Sequence, residues 1–199
     1  MKRVVMGVMV LLGIGTMSAH AQSITYGVKA EANMSNYIVK DGAGVKSDLG
    51  FGATVGGFAK FDITRGFAIQ PELLFNYQNS DYKLKATGQK YNLEYWGVEV
   101  PVYAMGQWYS NTGNRFYAGI GPYVGYGFSA NVDTPTKTKL YKDDAWQEFD
   151  FGGKAMVGYE FANGIQINAA YRIGVINAVD KGEGKMLPQA FSLGVGYRF

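Results

Sequence analysis

The 199-residue sequence contains no cysteine and a single histidine, His20. Without cysteine the chain carries neither disulfides nor a lipid on an N-terminal cysteine. His20 falls inside an N-terminal leader, so the mature chain has no histidine either. Ser–His and Cys–His nucleophile pairs and the usual zinc sites are therefore excluded. Membrane-embedded proteases, lipases and acyltransferases that work through a histidine fall with them. Beyond the leader no apolar run is long enough to span a bilayer as a helix. Charge excess is lacking too: without Lys2 and Arg3 the chain has 17 basic against 16 acidic residues. That balance gives no reason to expect a nucleic-acid partner. The absences point to a non-enzymatic chain, and catalytic, cofactor-binding and metal residues are each expected to be none.

The leader itself is a targeting signal. Lys2 and Arg3 precede a mostly apolar stretch from Val4 to Met17, and Ala19-His20-Ala21 has the small-x-small form of a cleavage site. The apolar core is shorter than the ~20 residues a membrane anchor needs. Residues 1–21 are expected to be a cleaved signal peptide and residues 22–199 one domain.

What the sequence has in quantity is glycine (28) and aromatic residues (15%), arranged in alternation. In the last ten residues Phe191, Leu193, Val195, Tyr197 and Phe199 alternate with Ala190, Ser192, Gly194, Gly196 and Arg198. A β-strand sends successive side chains to opposite faces, so this segment has one apolar and one small or polar face. The same pattern recurs in Ile24–Met34, Leu49–Phe61, Phe67–Tyr77, Trp96–Ala104, Phe116–Ala130, Phe149–Phe161 and Ile165–Val175. That makes eight strands. Their connections alternate long and short. The long ones are Ser35–Asp48, Asn79–Asn92, Asn131–Glu148 and Val179–Pro188. The tight ones lie around Asp62–Gly66, Ser110–Asn114 and Ala162-Asn163-Gly164, where Asn-Gly is a hairpin signal.

Strand charges select the fold. Lys29, Glu31, Lys60, Glu72, Glu99, Asp150, Lys154, Glu160, Arg172 and Arg198 all occupy the polar face, and the apolar face carries none. A Lys or Arg facing lipid near the midplane costs about 2–4 kcal/mol. Aromatic residues such as Tyr26, Phe61, Trp96, Trp108, Phe128, Phe161 and Phe199 cluster at strand ends, as interfacial girdles do. The expected fold is all-β: an eight-stranded antiparallel up-and-down transmembrane β-barrel with both termini in the periplasm. Two irregularities qualify it. Leu93 and Tyr95 are out of phase with Trp96–Ala104, which predicts a bulge near Tyr95. Pro71, Pro101 and Pro122 lie inside strands of a barrel that offers no edge, and each calls for a bulge or an inward water.

The proline segments also carry a family resemblance. Gln70-Pro71-Glu72-Leu73-Leu74-Phe75, Val98-Glu99-Val100-Pro101 and Ala118-Gly119-Ile120-Gly121-Pro122-Tyr123 stand in that order, with a leader before them and Phe199 at the end. Together they resemble the PorT-like outer-membrane β-barrel family of Gram-negative bacteria, with conservative changes at Val98 and Val100. The resemblance implies an outer-membrane location and an eight-stranded barrel without catalytic residues. It also implies recognition of the terminal Phe199 by the barrel-assembly machinery.

Function is expected to reside in the loops. Inward carboxylates Glu72, Glu99 and Glu160 could form an acid/base pair. An eight-stranded interior is just wide enough for its own side chains, however, so they are expected to pair with Lys29, Lys60, Lys154, Arg172 and Arg198 as a plug. The long loops hold ten lysines (Lys40, Lys46, Lys83, Lys85, Lys90, Lys137, Lys139, Lys142, Lys181, Lys185) and no arginine, against nine acids. These lysines could meet lipopolysaccharide phosphates or simply be solvated, and Asp143-Asp144 lacks a calcium pattern. The leading expectation is a monomeric structural or surface-interaction barrel contacting outer-membrane lipid. The rivals are a narrow porin-like channel and a secreted lipocalin-like carrier, the latter disfavoured by the inward charges.

Overall fold

A computed structural model of the chain describes residues 23–40, 45–47, 50–84, 90–132, 138–139, 149–175 and 185–199. The leader and part of each long connection lie outside these residues. Ten strands form: β1 (Ile24–Lys40), β2 (Val45–Ser47), β3 (Gly50–Thr64), β4 (Phe67–Leu84), β5 (Lys90–Tyr109), β6 (Arg115–Val132), β7 (Thr138–Lys139), β8 (Phe149–Glu160), β9 (Ile165–Gly174) and β10 (Lys185–Arg198). Eight of them close a ring. Every pairing is antiparallel, running β1–β3, β3–β4, β4–β5, β5–β6, β6–β8, β8–β9, β9–β10 and β10–β1. The short β2 and β7 pair outside the ring with β4 and β6.

The closing seam is the one expected from the final strand. Gly27 faces Arg198 and Met34 faces Phe191, and the ladder continues to Lys40 opposite Lys185. Phe199 N–H donates to the Tyr26 carbonyl at 2.9 Å. Closure pairs the backbone groups that an open edge would leave in hydrocarbon.

The alternation holds along the eight ring strands wherever their side chains are described. Val28, Val55, Leu73, Ile120, Val124, Val157, Ile167, Leu193 and Val195 are exposed on the outer wall, while the ten predicted inward charges turn away from it. Aromatic pairs mark both ends of the apolar band. Trp108–Phe116, Tyr159–Phe161 and Tyr197–Phe199 lie at the tight-turn end, with ring centroids 5.5, 5.1 and 5.8 Å apart. Tyr77–Trp96 and Tyr126–Phe149 lie at the other, at 4.7 and 5.1 Å.

Three local expectations change. First, several strands run on into stretches read as loops: β1 continues to Lys40, β4 to Leu84, β5 begins at Lys90 and β6 reaches Val132. Above the lipid both faces meet water, so alternation is no longer required while ladder hydrogen bonds persist. Second, the irregularity expected near Tyr95 lies between Trp96 and Gly97, but its extra residue is not on β5. Tyr95 shares the inward face with Gly97 and Glu99, and the extra residue sits on the neighbouring strand: Trp96 pairs Ser129 and Gly97 pairs Gly127, which leaves Phe128 unmatched. Third, the prolines interrupt the ladder without shifting it. Pairs are missing beside Pro71 and Pro101 between β4 and β5, and beside Pro122 between β5 and β6, yet the register on either side is unchanged. A missing donor costs a bond; it does not require an extra residue. The Ala162-Asn163-Gly164 hairpin is the three-residue loop that the sequence predicts. Gly164 N–H donates to the Phe161 carbonyl at 2.9 Å and Gly164 alone in that loop has positive φ, 89°. The Ser110–Asn114 turn repeats it with Gly113 at φ 82°. In each, the left-handed last residue of the loop is a glycine, the residue type that takes a positive φ without strain.

Candidate functional site

An eight-stranded ring has no open bore, so its interior is built from whatever the inward positions supply. Here they supply six cations (Lys29, Lys60, Arg115, Lys154, Arg172, Arg198) and six carboxylates (Glu31, Asp62, Glu72, Glu99, Asp150, Glu160) among the described residues. They are stacked in three layers.

The layer at the tight-turn end spans β3, β5, β6, β8, β9 and β10. Lys60 holds Asp62 at 2.9 Å, and Gln107 Nε2 donates to Asp62 Oδ1 at 2.7 Å. Arg115 bridges onward, donating through Nη1 to Gln107 Oε1 and through Nη2 to Glu160 Oε2, both at 2.5 Å. Glu160 also takes Gln166 Nε2 at 2.7 Å and pairs Arg198 Nε at 2.8 Å. Arg115 is 1% exposed and packs over the Tyr117 ring at 4.8 Å. Sequence reading missed both Arg115 and Asp62 because they adjoin turns. The signal was present: each continues the inward parity of its strand, Arg115 with Tyr117 and Asp62 with Lys60.

The middle layer joins β1 to β4. Lys29 Nζ lies 2.7 Å from Glu31 Oε1 and 3.0 Å from Glu72 Oε2, and it donates to Met156 Sδ at 3.6 Å. Gln70 Nε2 adds a hydrogen bond to Glu72 at 2.8 Å. Beside this group Ala68, Tyr103, Met105, Tyr117, Met156 and Ala170 make a buried apolar cluster across the lumen.

The third layer faces the long connections. Glu99 on β5 receives Lys154 Nζ from β8 at 2.7 Å and Arg172 Nη1 from β9 at 2.7 Å. Tyr123 O–H donates to Asp150 Oδ2 at 2.7 Å, and the Arg172 guanidinium stacks 5.4 Å from the Tyr123 ring. Asn33 Nδ2 donates to Thr54 Oγ1 at 2.6 Å, and the threonine hydroxyl donates in turn to Asn76 Oδ1. What space remains here is a cavity of about 10 Å³ lined by Asn33, Thr54, Asn76, Gln78, Glu99, Lys154, Arg172, Ala190 and Ser192. That volume is about one water molecule.

The inward carboxylates considered for acid/base chemistry are therefore dispersed. Glu72, Glu99 and Glu160 fall in three different layers, each engaged by cations or amides. Among the described residues no three His, Cys, Asp or Glu side chains are grouped to hold a metal. The loop lysines and Asp143-Asp144 lie in segments whose side chains are outside the described set.

Comparison with known proteins places this geometry. A family model described as an outer membrane protein β-barrel domain matches residues 7–199. No curated protein matches the sequence. Among solved structures, the outer membrane protein OprG of Pseudomonas aeruginosa is similar with a TM-score of 0.58 at 12% identity, covering 89% of this chain and 97% of that one. Neisserial surface protein A is similar at 17% identity and TM-score 0.47, with coverage of 89% and 99%. The attachment invasion locus protein Ail of Yersinia pestis, solved with the heparin analogue sucrose octasulfate, is similar at 12% identity and TM-score 0.49, again covering 89% and 99%. At such identities the structures speak to fold alone. The family match spans nearly the whole sequence, and with the closed antiparallel ring it shows that the chain belongs to the outer membrane β-barrel protein family.

Proposed function

We propose that this protein is a non-enzymatic, non-conducting barrel that anchors a surface-interaction apparatus, its long connections, in the outer membrane. The observation that carries this reading is the occupied lumen: six cations and six carboxylates stacked in three layers, with a cavity of only about 10 Å³ between Glu99, Lys154, Arg172 and their neighbours. A conducting channel needs an unobstructed polar path, and a lipocalin-like carrier needs an apolar interior; the layered ions supply neither. The absence of histidine and cysteine after the leader supports a non-enzymatic role.

On this reading residues 1–21 are removed on export and the chain acts as a monomer. The tight turns and both termini face the periplasm, and the long connections face outward, where their lysines meet lipopolysaccharide phosphates. The Gln70–Phe75, Val98–Pro101 and Ala118–Tyr123 segments support placement in the PorT-like branch of the family. Because the chain has no cysteine, orientation is directly testable. Ser47→Cys and Asn111→Cys variants are treated on intact cells with a membrane-impermeant maleimide. Labelling at position 47 and protection at position 111 are expected; the reverse pattern inverts the topology. Crosslinking from the labelled position in intact cells then identifies the surface partner, and crosslinks confined to periplasmic proteins would refute a surface role.

A further inference from the structure

The middle layer has one carboxylate more than its cations, as the tight-turn layer, with Lys60, Arg115 and Arg198 against Asp62 and Glu160, has one cation more. Lys29 alone serves two carboxylates, Glu31 and Glu72, and all three residues are at least 94% buried. Glu72 is satisfied by Lys29 and by Gln70. Glu31 is only half satisfied: Lys29 Nζ pairs with its Oε1 at 2.7 Å, and its Oε2 receives no donor.

Across the seam from Glu31 stands a second buried acceptor. Gly194 on β10 pairs Glu31 on β1 and Asn168 on β9. A Cβ built on Gly194 would lie 2.6 Å from Glu31 Cγ and 3.2 Å from Asn168 Oδ1, so the two side chains converge over this glycine from opposite strands. Asn168 is 7% exposed and its Oδ1 has no donor. One step along β1, Asn33 is 4% exposed; its amide nitrogen is committed to Thr54, and its Oδ1 too lacks a donor.

The buried oxygens left open here, Glu31 Oε2, Asn168 Oδ1 and Asn33 Oδ1, are all acceptors, and their chemical complement is a cation. We propose that Glu31 and Asn168, reaching over Gly194, hold a small monovalent cation inside the barrel wall, with Asn33 Oδ1 as a further oxygen. Within this layer one positive charge brings Lys29, Glu31 and Glu72 to neutrality, which favours a monovalent ion. A divalent ion would overshoot, and calcium takes six to eight oxygens, often several of them carboxylates, more than converge here. The ligand set spans β1 and β9, the two neighbours of the last strand, so the ion would clasp the closing seam.

The test is unfolding of the full refolded barrel in neutral-lipid vesicles, at constant ionic strength, in sodium, potassium or rubidium chloride against N-methyl-glucamine chloride. A saturable rise in the urea midpoint with at least one small cation is expected, and Glu31→Gln and Asn168→Ala should each abolish most of it. Equal midpoints in all salts, or a cation effect that survives Glu31→Gln, would overturn the site. Rubidium-soaked crystals of the unaltered protein give an independent readout that no folding defect can obscure. Anomalous density between Glu31 and Asn168 supports the proposal, and its absence, leaving a water only, refutes it.

Discussion

Replacing Glu99 by glutamine keeps the side chain's size and removes its charge. The change leaves Lys154 and Arg172, each 2.7 Å from the lost carboxylate and with side chains only 4% and 9% exposed, without their shared counterion. Asp150 is too far to compensate, at 4.0 Å from Arg172 and already bonded to Tyr123. Breaking one partner of a buried ion pair costs about 3–5 kcal/mol. Two cations are stranded here, but the glutamine oxygen can still accept one hydrogen bond, so about 4 kcal/mol is expected. That is roughly a thousandfold in the folded-to-unfolded ratio. Urea titration in lipid vesicles, read by fluorescence of Trp96, Trp108 and Trp146, measures it. Adding Lys154→Met to Glu99→Gln should recover part of the loss, because the stranded charge goes with its partner. A Glu99→Gln change below about 1 kcal/mol, or strict additivity with Lys154→Met, would show that the lumen is wet and the pairs screened.

Other expectations follow from the wall and the seam. Ile120→Lys puts a charge on an outward position that is 68% exposed near the middle of β6, and should destabilise the barrel by about 2–4 kcal/mol in the same titration. A Cβ on Gly121 would overlap the Val102 carbonyl oxygen, so Gly121→Ala should abolish the fast-migrating unheated band on gels, whereas Gly153→Ala, where nothing lies within 4 Å of the new carbon, should not. Deleting Phe199 removes its hydrogen bond to Tyr26 and its contact with Tyr197, and should lower the amount of barrel in outer-membrane fractions; unchanged levels would refute a role for the terminal residue in assembly.

Much of this fold was legible because lipid enforces a strict rule on one face. From Ile24 to Met34 and from Phe191 to Phe199 every second residue must be apolar, and the inward partners of those residues were identified by parity alone. Where the rule lapses, so did the reading. Lys40, Leu84 and Lys90 sit in ladders that run on past the alternating stretches. Tyr95 looked like a phase error because a tyrosine suits the girdle; folded over Gly97, it belongs to the lumen. The plug was foreseen as a set of charges but not as a wiring. That Glu99 would serve both Lys154 and Arg172, or that Arg115 would bridge Gln107 to Glu160, depends on strand stagger around a closed ring, and one-dimensional alternation does not encode stagger.

The central claim is that the lumen is closed by its own ion pairs. Planar-bilayer recording on the refolded, full-length barrel tests it most directly. The account predicts a flat baseline under applied voltage in moderate salt, with no sustained current steps. A steady conductance of reproducible size in the unaltered protein would contradict it, and the loops would then be the rim of a channel.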